Sequence, residues 1–440
     1  MPEFLSLSLP LEALHTFLEA IPDKEPLAEE IQTSNGLGRV LFENLISPHP
    51  LPQFPRSTVD GYAFRARDSF GVSEAMPGYL NLVAEVPMGD SPKFSISTGS
   101  CALIHTGGML PEGADAVIML ENTQLVKMAN EEKQKSKVNA EILTQMKAFE
   151  VEIARAVASG ENVIRIGEDV AAGQVVLTKG TRIRPAEIGG CMALGITRIR
   201  VARKPKIGII ATGDEVIPPT KNPRPGQVRD VNSYSLAALI DKAGGKPELY
   251  GIFPDKLDLL RSAAEKSLKE CDAVIITAGS SASSRDMTAT VINCLGEPGV
   301  LVHGVNVRPG KPTILAVCDG KPVIGLPGNP VSALVIANLF VVPVISKLLN
   351  ETSVRPHPFI RAVIAVNFPS KAGREDWIPV KLVTNSQHSI QNEQVGWLAE
   401  PVFGKSNLIF SLAAADGFIR ISPESTGISA GETVEVMLID

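Results

Sequence analysis

Few of the residue patterns that mark the commoner enzyme classes occur in this sequence. Its five cysteines (Cys101, Cys191, Cys271, Cys294 and Cys318) are scattered, odd in number and form no CxxC pair. A disulfide framework or zinc ribbon is therefore disfavoured, and a reducing compartment fits better. The six histidines make no HExxH or other spaced pair, which removes the common zinc-hydrolase signatures. There is no excess of positive charge: 42 Lys plus Arg stand against 48 Asp plus Glu, a net −6. General affinity for nucleic acid needs a basic surface and is excluded on that ground, whereas a local basic pocket for a small anion is still allowed. The longest apolar run, Leu334 to Leu349, is interrupted by Asn338, Pro343 and Lys347 and reads as a buried helix rather than a membrane span. The start, MPEFLSLSLPLEALHTFLEAI, lacks the basic residues and cleavage site of a secretory signal, so a cytoplasmic location without membrane contact is expected. Neither GxxxxGK[ST] nor GxGxxG occurs at the loops that matter below, which disfavours an ordinary ATPase or a Rossmann dehydrogenase.

What is present is the composition of a globular protein, 44% hydrophobic and 20% charged, with length for about three domains at ~150 residues each. Residues 10–45 show helical periodicity, with Leu11, Leu14, Phe17, Leu18 and Ile21 on one stripe. Pro48, Pro50, Pro52 and Pro55 then mark a boundary, and from about 54 to 125 short β-prone segments punctuated by glycine predict a small, mostly β domain. Residues 127–158 read as a charged surface insertion whose second part has Met146, Phe149 and Ile153 spaced for a helix. From 206 to about 350 strands alternate with helices: KIGIIA (206–211), Glu248 to Phe253, AVIIT (273–277), Ile314 to Val317 and Val323 to Leu326 are strands. Helices are expected from Ser233 to Ala243, from Leu257 to Leu268, from near Asp286, and from Pro330 to Leu349. Short, wholly apolar strands in β-α repeats predict a parallel, doubly wound sheet. After Pro356, alternating strands with Gly and Pro turns predict a small C-terminal β domain.

Ligands of an open parallel sheet bind at the carboxyl ends of its strands. Three loops fall there. Thr212-Gly213-Asp214-Glu215 follows the first strand, the Gly/Ser stretch Ala278 to Asp286, holding Ser280 and Ser281, follows AVIIT, and Gly325 to Ser332 runs into the long helix. Small and hydroxylated residues before a helix expose backbone N–H groups, which suits phosphate or another oxyanion, and Arg308 and Lys311 of VRPGKP add charge nearby. One such loop is often only a tight turn; three in one domain point to a phosphate-bearing ligand. Asp214, Glu215, Asp255 and Asp286 add hard carboxylate oxygens suited to Mg²⁺, although Asp255 and Asp286 could equally cap helices.

Six stretches in order resemble the molybdopterin molybdenumtransferases of the MoeA type, the family that includes the E domain of plant and animal homologues. They are DGYA (60–63), HTGGMLPEGADAVIMLE (105–121), GEDVAAG (167–173), ATGDE (211–215), RPGKP (308–312) and GLPGNPVSA (325–333). The resemblance implies an elongated homodimer of four-domain subunits with a central molybdopterin-binding α/β domain, a small inserted β domain and a C-terminal domain like a β-barrel. Residues 1–50 with 158–203 would then form a discontinuous N-terminal and dimerisation domain, 51–157 the inserted domain, 204–352 the α/β domain and 353–440 the C-terminal domain. The implied substrates are adenylylated molybdopterin and molybdate, the products molybdenum cofactor and AMP, with a divalent cation such as Mg²⁺ assisting and the adenylyltransferase of the same pathway as a possible partner.

Carried over to this sequence, the resemblance gives Asp60, Asp169, Glu215 and Asp286 catalytic roles, and Glu215, Asp255 and Asp286 the metal. Substrate would be held by Thr106, by Thr212, Gly213 and Asp214, by Asn232, and by Ser280 and Ser281. The cation loop adds Arg308, Lys311 and Pro312, and the helix-entry loop adds Pro327, Gly328, Asn329, Pro330 and Ser332. Arg374 and Ser406 come from the C-terminal domain. Arg, Lys and Ser donors suit a tetrahedral dianion such as molybdate, and cleavage of a phosphoanhydride calls for a metal and positioned oxygens. The sequence departs from the family pattern at Arg308, where a lysine is usual, at Arg56, where an uncharged amide is common, and in the Gly/Ser loop, which commonly reads GGVSxG. These changes leave the choice between molybdate and tungstate open. The readings to set against transfer are a non-catalytic pterin-binding scaffold and a nucleotide-transforming relative.

Overall fold

A computed structural model describes residues 7–127, 149–277, 282–353, 358–384 and 396–439, with the backbone alone for 282–286. The chain divides into two compact units, one of residues 1–43, 179–185 and 198–440, the other of residues 44–178 and 186–197.

The larger unit is built on a six-stranded sheet. In chain order its elements are helix α1 (Pro10–Ala20), β1 (Lys206–Thr212), α2 (Asn232–Ala243), β2 (Lys246–Phe253), α3 (Leu257–Glu270), β3 (Ala273–Thr277), α4 (Ala282–Asn293), β4 (Pro298–His303), β5 (Ile314–Cys318), β6 (Lys321–Leu326) and α5 (Pro330–Leu348). The strands lie in the order β2-β1-β3-β6-β5-β4. The first four are mutually parallel, as expected, but β5 runs antiparallel to β6, and β4 antiparallel to β5. Only Asp319 and Gly320 separate β5 from β6, too few residues for a crossover and enough for a hairpin.

Alternation along the strands loads both faces. Ile207, Ile209, Ile275, Leu315 and Ile324 pack with α1, α2 and α5 on one side. Ile210, Val274, Ile276, Ala316 and Val323 pack with α3 and α4 on the other. The periodicity expected over 10–45 survives only to Ala20, because Pro22 and Pro26 follow; Ala13 and Phe17 are buried while Leu11 faces solvent. Beyond it, Ala28–Gln32 pairs as a strand with Arg198–Ala202.

The long apolar run is more continuous than its interruptions suggest: α5 is one helix of 19 residues, mean hydropathy 2.1. A π-type turn at Ala337–Val341 absorbs Pro343, which has no N–H to donate back along the helix. By length and composition it could cross a membrane, yet its Ile336, Phe340, Val344 and Ile345 are fully buried in the sheet's core. Helix α4 begins at Ala282, earlier than expected, so Asp286 lies inside the first turns and does not cap it.

The rest of this unit is a closed five-stranded barrel of β7 (Phe359–Ile364), β8 (Glu375–Thr384), β9 (Trp397–Pro401), β10 (Gly417–Ile421) and β11 (Thr433–Leu438). Pairing runs β7-β9-β8-β10-β11 and back to β7, leaving no open edge. The pair Val307–Arg308 adds to the end of β8 in parallel, with Arg308 opposite Asp376.

The smaller unit holds a six-stranded mixed sheet in the order 116–119, 61–64, 100–104, 78–85, 149–153, 123–127. Tyr62, Phe64, Leu80 and Ile118 are buried on one face, Ala63, Ala102, Ile104 and Val117 on the other. Phe149 to Ile153, expected to be helical, is a strand. Val151 and Ile153 are buried between half-buried glutamates, so the period of two prevails over the helical spacing. It runs antiparallel to Thr123–Lys127 with Lys127 opposite Phe149. Met146 lies outside the described residues.

Candidate functional site

The strands β2, β1, β3 and β6 end side by side at one edge of the sheet, and the chemistry-bearing loops leave from there. Thr212 closes β1; it is buried and its hydroxyl donates to the Thr277 carbonyl at 3.3 Å, so it ties two strand ends together. The turn Gly213 to Val216 follows, closed by a Val216 N–H bond to the Gly213 carbonyl. The Asp214 carboxylate accepts the Asp255 N–H at 3.3 Å, which joins the loop after β1 to the loop after β2. Glu215 is half-buried on the first of these loops and Asp255 half-buried on the second. Asp286 stands on α4, the helix that follows β3; its side chain, with Ser280 and Ser281, lies outside the described residues. Thus carboxylates arise from three adjacent strand ends, although no group of three His, Cys, Asp or Glu converges among the described side chains.

Beside them, after β6, Pro327 is buried and the Gly328 carbonyl accepts a bond of 2.8 Å from the amide of Asn232, the first residue of α2. Asn329 donates from its amide to the Ser406 hydroxyl at 3.0 Å, and Val331 N–H donates to the Ser406 carbonyl at 3.1 Å. Pro330 opens α5, where its missing N–H costs nothing. These bonds fasten the loop after β9 to the head of α5, so residues far apart in sequence face one cavity of about 600 Å³. Seven of the expected residues line it: Arg308, Lys311, Pro312, Asn329, Ser332, Arg374 and Ser406.

The cavity is cationic. Arg308, Lys311, Arg374 and Lys405 contribute to its wall against one carboxylate, Asp376. That carboxylate is almost wholly buried and holds Arg374 by two bonds, Nε at 2.7 Å and Nη2 at 3.0 Å, while the Ser370 hydroxyl donates at 3.0 Å. Arg308 comes within 3.7 Å of the same carboxylate. Next to it, buried Glu375 accepts from Arg420 and from the Trp377 indole, each at 2.7 Å. A guanidinium held by a buried partner keeps its place in the cavity wall, and its fork has N–H groups beyond the two it gives to Asp376. The surplus of positive charge suits a phosphate or a tetrahedral dianion.

Asp376 was not singled out from the sequence. Its local signal was a basic residue two positions away, Arg374, which sits in the bend that precedes β8. The aromatic wall of Phe368, Trp377 and Phe403 was also missed, and no local motif marks it.

In the smaller unit Asp60 and Thr106 meet. One carboxylate oxygen of Asp60 accepts the Thr106 N–H at 2.8 Å and faces the Thr106 hydroxyl at 3.3 Å. His105 lies 3.7 Å from Asp60 and bonds Glu85 at 3.0 Å through its other nitrogen, a neighbour the sequence reading did not include. Asp169 is exposed and its N–H donates to the Leu51 carbonyl; it does not join that cluster.

Three family models match in succession: "MoeA N-terminal region (domain I and II)" over residues 10–195, "Probable molybdopterin binding domain" over 208–347 and "MoeA C-terminal region (domain IV)" over 361–439. A Bacillus subtilis protein named molybdopterin molybdenumtransferase is 33% identical over 94% of this chain and 91% of its own. The chain belongs to the MoeA family. A Haemophilus influenzae member of the same name is 29% identical, covering 97% of each chain. Among solved structures, a molybdopterin biosynthesis moeA protein from Pyrococcus horikoshii OT3 is 32% identical with a TM-score of 0.78, matching 99% of this chain and 100% of that one. The α/β domain and barrel expected from the sequence are thus the family's fold.

Proposed function

We propose that this protein is a molybdopterin molybdenumtransferase, inserting molybdate into adenylylated molybdopterin with release of AMP. The observation that carries the proposal is the cationic cavity of Arg308, Lys311, Arg374 and Ser406 at the carboxyl edge of the sheet, in a chain of the MoeA family. Two guanidiniums, an ammonium and hydroxyl donors replace the water around a tetrahedral dianion and hold it against the substrate. The carboxylates at the neighbouring strand ends orient the water that breaks the phosphoanhydride, and Asp60 and Asp169 position substrate across the dimer.

Mg²⁺ commonly binds through one or two carboxylates together with substrate phosphates, and Glu215, Asp255 and Asp286 supply oxygens of that kind. The ion would neutralise charge developing on the phosphate as the anhydride breaks. The reading carries with it a cytoplasmic homodimer and a hand-over of substrate from the pathway's adenylyltransferase. Unpaired, mostly buried cysteines suit the reducing compartment.

The test is AMP release from adenylylated molybdopterin, with and without molybdate, tungstate and Mg²⁺. Release that depends on oxyanion and Mg²⁺ is expected and identifies the preferred metal. Tight pterin binding without release under any condition would overturn transfer in favour of a scaffold. Asp286→Asn is expected to abolish release while light scattering still gives a dimer; normal release would remove Asp286 from the chemistry.

A further inference from the structure

One wall of the cavity, the aromatic one, has no part in that chemistry. Phe403 is 70% exposed, an unusual position for a large apolar ring. It is nevertheless partnered, stacked on Phe368 with ring centroids 6.1 Å apart and planes 12° from parallel. Phe368 is itself held in a short strand, Phe368–Pro369, paired with Gly427–Ile428. The loop bearing Phe403 is tied down along its length. Val402 N–H donates to the Pro379 carbonyl at 2.8 Å, Leu408 N–H to the Lys405 carbonyl at 2.9 Å, and Ser406 is bonded to Asn329 and Val331. Gly404 lies so close to Ser411 that a β-carbon there would fall 2.4 Å from its hydroxyl oxygen. An aromatic face backed by Phe368 is thus presented beside Lys405, Lys311, Arg308 and Arg374 in one cavity.

We propose that Phe403 is the stacking platform for a flat bicyclic heteroaromatic ring joined to phosphate, held while the four cations take the phosphate and oxyanion. The inference rests on the proposed substrate, which carries such a ring in adenine and a related, reduced ring in its pterin. Stacking on a ring already ordered costs little conformational entropy, and a base on an aromatic face tolerates any heterocycle of that shape. Phe403 touches the substrate through its ring only; it exchanges no proton and is a binding residue, not a catalytic one.

The experiment measures binding of molybdopterin and of AMP separately, each by calorimetry, to wild type and to Phe403→Tyr, Phe403→Leu and Phe403→Ala. One of the two ligands is expected to lose about tenfold in affinity in the Leu and Ala variants, a value typical of one stacked base. The Tyr variant should bind as wild type does, and the molybdate KM should not move. Leu keeps the apolar bulk, so its loss separates stacking from burial and remains informative if the Ala variant folds poorly. The ligand that weakens names the ring. Unchanged binding of both ligands in the Leu and Ala variants overturns the inference. Since binding is read without turnover, a wild type that binds but releases no AMP sinks the transferase reading alone. A wild type that releases AMP, with all variants binding equally, sinks only the role of Phe403.

Discussion

Removing Arg374 should damage the protein twice, and the two effects can be separated. Asp376 is buried with 2% of its side chain exposed, and Arg374 supplies two of its charge-assisted bonds. Deleting one partner of a buried pair costs about 3–5 kcal/mol, because the other charge stays behind without its counter-ion. Here Ser370 and the more distant Arg308 remain, and Arg374 is partly solvated, so the lower end applies, about 3 kcal/mol. Both tryptophans of the chain, Trp377 and Trp397, lie on barrel strands β8 and β9, so their fluorescence follows the barrel. With an m value of about 1.5 kcal/mol per M urea, Arg374→Ala should lower the midpoint by about 2 M. The double variant Arg374→Ala, Asp376→Asn should recover at least half of that, since the stranded charge is gone. In both variants molybdate KM should rise more than pterin Kd, because a cleft donor is lost whatever the stability. A midpoint shift below about 0.5 M for Arg374→Ala would refute the clamp. Equal loss of molybdate and pterin affinity would refute the oxyanion role.

Three further outcomes follow from the geometry. Burial alone would raise the Glu351 carboxyl, but two bonds from Arg182, at 2.7 and 2.6 Å, its charge and a bond from Ser346 outweigh this and lower it. A lowered carboxylate stabilises above its unfolded value of about 4.3 and loses that contribution as pH falls through the folded value. Glu351→Gln should therefore cost about 2 kcal/mol at pH 7 and nothing once both forms are protonated, read as Tm against pH; a gap independent of pH counts against the pair. Burial pushes the Cys101 and Cys318 thiols up to about 12, Cys318 also through the charge of Asp319, while Cys294 is exposed. A thiol reagent at pH 8 should count one fast cysteine in the native protein and five in denaturant, and a second fast native thiol would contradict the packing. Gly310 has φ +117° and a β-carbon there would sit 2.3 Å from Ile336, so Gly310→Ala must shift Arg308 and Lys311. At least a tenfold rise in molybdate KM is expected (about 1.4 kcal/mol), and an unchanged KM would mean the turn does not set the cation positions.

The sheet was legible because its strands are buried on both faces. KIGIIA and AVIIT have no polar side to place, and the latter's bounds coincide with the strand. Where local pattern and tertiary pairing compete, the sequence misleads. Met146, Phe149 and Ile153 have helical spacing, but Val151 and Ile153 are needed as one face of a strand against Leu80. The orientation of β5 depended on the length of a turn rather than on the strands themselves. Arg308 and Lys311 were found through a motif and Arg374 through the family resemblance; Lys405 and Asp376 were not, since a buried carboxylate on a strand looks like any polar residue until its partner is seen beside it. Phe403 is invisible for the same reason, because exposure and stacking are properties of the folded loop.

The cavity also has a physical logic in where its parts come from. Arg308 belongs to the α/β segment, Arg374 and Ser406 to the barrel, and nearly a hundred residues separate the first from the last. Their meeting depends on Val307–Arg308 pairing with the end of β8 and on Ser406 bonding the head of α5. Neither half alone gathers enough positive charge to hold a dianion stripped of water. Asp376 sits at that seam, opposite Arg308 in register and bonded to Arg374. A repulsive cluster of cations could not be packed there without an internal counter-charge, so the carboxylate that moderates the field also allows the cleft to form before the anion arrives. Placing the site on the junction ties oxyanion binding to the correct docking of barrel on sheet.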